Sequence, residues 1–382
     1  MLSVGLSPAY AQPNGPELQR GINLSNWLGN AERQMVDDRD MDQIARVGFD
    51  HIRLPVNPET MGFKLDGTSL SSIDFTRIDA AIHMAMQHKL AVIIDIHPSR
   101  AFKDTIEEND IAARQFVEFW SALAAHYDEK HYPPGSVAFE LINEPHYYHG
   151  KIAYADLVKK LIAGIRTTSP NRLIIVGAPY GSSIDGLLAI QPVSDPLVIY
   201  DFHFYEPYIF THQGVQRGFE NKTTRFFHDV PYPSASVDRT IDFYAPDASD
   251  PAQAAQDLRD YVNQGWNSNR IDDRLHLAQQ WALLNKVRVI CGEFGVMHNH
   301  VDPKSRYGWI YDVRQSLESD AIGWDLWDYA DLMGIVTLHG ETTQPDPVDG
   351  AVKLVDPVKG WRGFEPQALN ALGLNIDAID KF

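Results

Sequence analysis

Eight short apolar runs recur along the chain, each about the length of a β-strand. They are GINLSN (21–26), HIRLPV (51–56), AVIIDIH (91–97), VAFELINEP (137–145), LIIVGA (173–178), VIYDFHFY (198–205), VRVICGEFGV (287–296) and AIGWDLWDY (321–329). Several are almost continuously hydrophobic, as parallel strands buried on both faces must be. The segments between them, such as FTRIDAAIHMAMQHK and YADLVKKLIAGIRTTSP, carry helical periodicity, and Ser169-Pro170 stops the second just before the next run. Strands alternating with helical crossovers predict an α/β fold, either a (β/α)8 barrel (TIM barrel) or a doubly wound sheet. The placement of polar residues separates the two. Asn23, Asn26, Arg53, His97, Asn143, Glu144, His203, Tyr205, Glu293, Asp325 and Asp328 fall toward the C-terminal ends of successive runs. A barrel gathers its site around that whole rim, whereas a doubly wound sheet concentrates it at one crevice. The expected fold is a single-domain TIM barrel.

One connection is long. Residues 206–275 follow the sixth run and read as an insertion that walls part of the rim. Within it, DPAQAAQDLRDYVNQ predicts a helix capped by Asp250 with Pro251 in its first turn. At the N-terminus, MLSVGLSPAYAQPNG resembles the tail of a secretory signal with Ala9-Tyr10-Ala11 as the cleavage site, so residues 1–11 read as a signal-peptide remnant and the chain as secreted or periplasmic. Hydrophobic residues make up 44% of the chain, ample for a core, and the formal net charge is -18. That charge repels nucleic acid and anionic membrane and leaves a neutral ligand as the fitting partner. The single cysteine, Cys291, lies in an apolar run and reads as a buried inert thiol; it excludes an intrachain disulfide and a cysteine metal cluster.

The run FELINEP carries two carboxylates into an apolar strand, and buried charge is costly unless paired or used. Strand alternation puts Glu140, Ile142 and Glu144 on one face, with Glu144 at the rim and Glu140 one layer down. Glu140 then reads as a structural charge paired with an interior Arg or Lys. A second rim carboxylate is Glu293 in CGEFG. Two facing glutamates can bind a divalent metal, pair with cations, or act as acid and nucleophile on an acetal. A metal site asks for further ligands at ligand spacing, and the one H-x-H, His298 and His300, lies beyond the seventh run. The acetal chemistry needs one protonated and one ionised carboxyl. Arg53 would keep one ionised, and burial beside a negative neighbour would keep the other protonated. Asn143 could donate to a sugar hydroxyl, and Trp324 or Trp327 could face a pyranose ring.

IRLPV, ELINEP, FHFY, GEFG and GWDLWDY, in that order and each at a strand end, make the chain resemble glycoside hydrolase family 5, the cellulase family. The resemblance runs from GINLSNWLG nearly to the C-terminus and implies that residues 12–382 form one catalytic barrel. It implies Glu144 as general acid/base and Glu293 as nucleophile of a retaining glycosidase, their carboxyls on the order of 5 Å apart. It further implies that Arg53 orients Glu293, that Tyr205 hydrogen-bonds it, and that His97, His203 and Asn143 bind sugar hydroxyls. Trp327 would be the sugar platform, with Trp324 in reserve. No cofactor and no metal is implied. The substrate would be a β-linked polysaccharide or oligosaccharide, cut by an endo-β-1,4-glucanase. The alternatives are an exo-β-1,3-glucanase or a β-mannanase of the same family, or, from another class, a non-catalytic polysaccharide-binding barrel. Loss of either glutamate would mark that last reading, and both are present.

Overall fold

A computed structural model describes residues 15–25, 27–28, 36–66, 70–147, 153–216, 222–344, 352–353, 355 and 359–379. The chain closes a parallel barrel in the order β1 (Arg20–Asn23), β2 (His51–Val56), β3 (Ala91–Ile96), β4 (Val137–Glu140), β5 (Ile174–Gly177), β6 (Val198–Phe204), β7 (Val289–Phe294) and β8 (Gly323–Leu326). Closure comes from β1, which pairs in parallel with β2 and with β8. Each of the eight apolar runs overlaps one of these strands. The signal-like residues 1–11 and Asn26 lie outside the described residues. Among the described residues, no helix is long and apolar enough to cross a membrane.

The crossovers begin with α1 (Asp38–Val47), α2 (Thr76–Gln87), α3 (Arg100–Glu108), α4 (Asp110–His126) and α5 (Tyr154–Arg166). Short turns α6 (Pro179–Ser182), α7 (Ile184–Ala189), α8 (Tyr208–Thr211) and α9 (Ile241–Tyr244) follow, then α10 (Pro251–Gln264), α11 (Ser268–Asn285), α12 (Pro303–Ser319) and α13 (Pro366–Leu372). Local chemistry sets many of the ends. Asp37 and Asp40 form a reciprocal capping box on α1, which stops at Gly48 with φ 109°, a conformation only glycine takes without strain. Asp250 accepts from the backbone of Gln253 and Pro251 opens α10, as the sequence predicts. Residues 205–288 between β6 and β7 hold α8 to α11, and α11 packs against α7 and α12 outside the barrel. A two-stranded antiparallel sheet of β9 (Val336–His339) and β10 (Trp361–Phe364) follows β8 and has no counterpart among the apolar runs.

Inside the barrel, side chains stack by chemistry. Leu18, Ile93, Ala138, Leu173, Ile175, Ile199 and Ile290 form a separate apolar plug. Two residues farther along three of those strands come Asp95, Glu140 and Asp201, all buried. Alternation puts each acid on the inward face directly above a plug residue. The plug thus closes the lower end and leaves a polar layer beneath the rim.

Three expected positions change. β4 ends at Glu140, so strand alternation does not carry Glu144; Glu144 adopts φ 43°, a left-handed conformation reached after the ladder has ended. Ile142 packs in the outer core with Leu141 rather than sharing the inward face with Glu140. Asp325 is not at the rim. It pairs in register with Gly21, which in turn pairs with His51 at the first residue of β2, and its carboxylate meets His51 Nε2 at 2.8 Å. A Cβ at Gly21 would lie 2.1 Å from that carboxylate, so only glycine lets the pair form there.

Candidate active site

Arg53, inward on β2 and fully buried, is the hub of the site. Its Nε and Nη2 donate to the two oxygens of Glu140, each at 2.7 Å, a bidentate pair that explains the lower carboxylate of FELINEP. Nη1 donates to Glu293 Oε1 at 2.8 Å and to Asn23 Oδ1 at 2.9 Å, and Nη2 donates to Asn143 Oδ1 at 2.9 Å. Asp95 lies 3.1 Å away. Burial works against the Arg53 cation, but Asp95, Glu140 and Glu293 together hold its pKa well above the ordinary value. Burial also pushes the Glu140 carboxyl up, and the guanidinium offsets this only in part.

Glu293 sits near the end of β7, where the pairing with β6 and β8 shifts register. The shift passes through Gly292, whose N–H donates to Asp201 Oδ1 at 2.7 Å; a Cβ there would lie 2.3 Å from the same oxygen. Glu293 Oε2 accepts from the Tyr205 hydroxyl at 2.9 Å. Burial and the charges of Glu293 and Glu144 raise the Tyr205 pKa, so its hydroxyl stays a donor. Across from it, Glu144 Oε1 lies 3.1 Å from His203 Nδ1, and Glu293 Oε2 lies 3.4 Å from the same nitrogen. Glu144, Glu293 and His203 each present a polar atom within 4.8 Å of the others. Carboxylate oxygens that near one another fit direct nucleophilic attack, for which the two carboxyl groups stand roughly 5–5.5 Å apart.

His203 is held from both sides. Its Nε2 lies 3.2 Å from Asp201 Oδ2, and although burial opposes its charge, Glu293 and Asp201 raise its pKa well above the ordinary range. Burial would raise Glu144, but the bond from His203 and the charges of His203, Lys103 and His97 hold it down at about 2. Burial, expected to keep this carboxyl protonated, is here opposed by the cationic groups around it. The Glu144 side chain is 38% exposed and lies 3.1 Å from the His203 ring, whose neighbours favour its charged form.

His97 completes the opposite wall. Its Nδ1 meets Asp95 Oδ2 at 2.8 Å, and its Nε2 meets Asn143 Nδ2 at 3.1 Å. Its ring stacks at 5.9 Å on Trp327, which is partly buried. Trp324 is wholly buried between Phe49 and Phe294 and packs the core, which removes the reserve platform. Arg53, His97, Asn143, Glu144, His203, Tyr205, Glu293 and Trp327 are thus joined by contacts into one cluster.

The family profile described as Cellulase (glycosyl hydrolase family 5) matches residues 11–330. The chain belongs to this cellulase family. Among curated members of similar sequence, Endoglucanase 3 of Fibrobacter succinogenes is 27% identical over 338 residues, covering 84% of this chain; the chain spans 50% of that relative's length. Endoglucanase C of Acetivibrio thermocellus is 27% identical over 330 residues, 81% of this chain and 90% of that protein. In fold, the chain resembles a hyperthermophilic endo-beta-1,4-glucanase solved with substrate, at TM-score 0.71 and 24% identity, over 94% of this chain and 97% of that one. A second solved endoglucanase gives TM-score 0.69 at 24% identity, over 93% and 97%.

In this family member two buried acids were missed in reading the sequence, Asp95 and Asp201. Each lies two residues before a site histidine, in DIH, where His97 directly follows β3, and in DFH on β6. Alternation alone places each carboxylate beneath its imidazole, so the signal was available. Lys103 on α3, which lies against the Glu144 turn, carries no such signal.

Proposed function

We propose that the chain is a retaining endo-β-1,4-glucanase acting on β-linked glucan. The approach of Glu144 and Glu293 to within 4.8 Å around His203 carries this reading. Glu293, fixed by Arg53 and Tyr205, attacks the anomeric carbon as the bond to the leaving sugar breaks. Glu144 gives that leaving oxygen its proton, and a glycosyl ester on Glu293 results. Water, losing its proton to Glu144, then attacks the same carbon and frees Glu293. His203 Nδ1, 3.1 Å from Glu144 Oε1, is the neighbouring group that can hand Glu144 its proton before the first step. A sugar that displaces water from Glu144 drives this transfer, because desolvation disfavours the carboxylate.

Asn143, with His97 against it, faces the 2-hydroxyl of the sugar being cleaved, and Trp327 offers the platform beneath that sugar. Arg53 already supplies a fixed cation to Glu293 and Glu140, so the chemistry asks for no metal and no cofactor. Residues 12–382 act as one catalytic barrel. The enzyme works outside the cytoplasm, secreted or periplasmic, since a glucan polymer cannot enter the cell.

The test is a parallel assay on carboxymethyl-cellulose, laminarin and mannan, with viscosity and reducing ends both followed, and with NMR of the first-formed product. The reading expects carboxymethyl-cellulose to be preferred, viscosity to fall ahead of reducing ends, and the β-anomer to appear first. Preference for laminarin or mannan, or an α-anomer appearing first, overturns it.

A further inference from the structure

Glu144 stands on a turn that is itself gripped by a neighbouring helix. Both Glu144 (φ 43°) and Tyr147 (φ 46°) are left-handed without being glycine, a backbone that persists only where its surroundings fix it. The fixing contacts cover residues 143–147. Lys103 Nζ donates to the carbonyl of Glu144 at 3.1 Å and to that of Asn143 at 3.4 Å. Gly181 N–H donates to the Pro145 carbonyl and Tyr180 N–H to the His146 carbonyl, each at 3.1 Å. Asp104 meets the His146 ring at 3.0 Å, and Glu107 accepts from Tyr147 N–H at 2.8 Å. Three of the anchors, Lys103, Asp104 and Glu107, come from α3.

Lys103 is 7% exposed and Glu107 6%, and charged side chains are rarely buried so deeply on a crossover helix without a partner. A methionine would fill the same space at no desolvation cost. The ammonium does what methionine cannot: it binds two consecutive carbonyls where the turn reverses, and it brings a positive charge near the Glu144 carboxylate.

We propose that Lys103 is a positioning residue for Glu144, holding the turn so that this carboxyl reaches the leaving oxygen. The proposal rests on Glu144 being the general acid. It does not touch Glu293, so it predicts a selective defect. Cleavage of sugars with poor leaving groups needs the acid, whereas 2,4-dinitrophenolate departs without a proton.

The experiment compares kcat/KM for cellotetraose and for 2,4-dinitrophenyl β-cellobioside in the parent, Lys103→Met, Lys103→Arg and Glu144→Gln. The ratio of the two constants does not depend on how much enzyme is folded; if Lys103→Met gives no folded protein, Lys103→Gln is measured in its place. General acid catalysis contributes roughly 10²–10⁴-fold, so Lys103→Met should lose on the order of 30–100-fold on cellotetraose and less than about threefold on the dinitrophenyl substrate. Lys103→Arg should recover most of the ratio. A parent-like ratio in Lys103→Met, beside a collapsed ratio in Glu144→Gln, overturns the proposal and leaves the acid assignment standing. A parent-like ratio in Glu144→Gln overturns the acid assignment itself.

Discussion

Arg53→Met removes one cation from among three buried carboxylates. In the parent, Arg53 makes two 2.7 Å bonds to Glu140, one of 2.8 Å to Glu293, and lies 3.1 Å from Asp95. Removing one partner of a buried ion pair costs roughly 3–5 kcal/mol, because the others keep their desolvation without the cation that offset it. An unfolding entropy of about 2.1 cal/mol/K per residue gives roughly 0.8 kcal/mol/K for 382 residues, so the thermal midpoint should fall by about 4–6 °C. Activity should fall much further, on the order of 10²-fold or more, since Glu293 loses its fixed donor. The double variant Arg53→Met/Glu140→Gln separates the two effects. Neutralising Glu140 should restore roughly half of the lost midpoint, because the two residues are coupled, and should restore no activity. Thermal unfolding followed by circular dichroism, beside hydrolysis of an aryl cellobioside, reads both quantities. A single variant within about 1 °C of the parent, or a double variant no more stable than the single, would refute the view of Arg53 as the counter-ion of Glu140.

Two further outcomes follow from the buried histidines. Asp201→Asn takes away one of the charges that raise His203; the imidazolium then loses its proton at lower pH, so the alkaline limb of kcat/KM should move down by roughly 1–3 pH units, and an unmoved limb contradicts a role for charged His203. His51 is flanked by Asp325 and Asp50; burial opposes its charge, but those partners raise its pKa from 6.5 to about 10. Its folded pKa lies above its unfolded one, so its contribution is complete below about 6.5 and should decline by up to roughly 1.4 kcal/mol per pH unit toward pH 10. Urea unfolding at pH 7, 8 and 9 should show that decline in the parent and a flatter profile in His51→Gln; equal slopes would contradict it.

The barrel was legible because eight buried strands must be written in apolar residues, and each of those runs does overlap a strand. Their C-terminal ends were less legible. The apolar pattern continues through Leu141 and Ile142, but the ladder stops at Glu140, and a left-handed glutamate has no signature in sequence. Trp324 and Trp327 lie three residues apart in one motif, and only the three-dimensional surroundings separate a core residue from a rim platform. A glutamate inside an apolar strand predicts a paired structural charge, and the bidentate partner of Glu140 is an interior arginine. Lys103 and Glu107 were invisible because a lysine and a glutamate four apart on a helix ordinarily mark a solvated face. The β9–β10 sheet escaped because Val336–His339 alternates between half-buried and exposed positions and never forms a continuous apolar run.

The two glutamates are assigned opposite duties on opposite faces of one carbon, and azide reads those faces directly. Azide should restore turnover of 2,4-dinitrophenyl β-cellobioside to Glu293→Gly by entering from the vacated side, giving the α-glycosyl azide. In Glu144→Gly it should instead intercept the ester on Glu293 from the other side, giving the β-glycosyl azide. Opposite anomers from the two variants are the predicted result; the same anomer from both, or no azide product from either, would contradict the account.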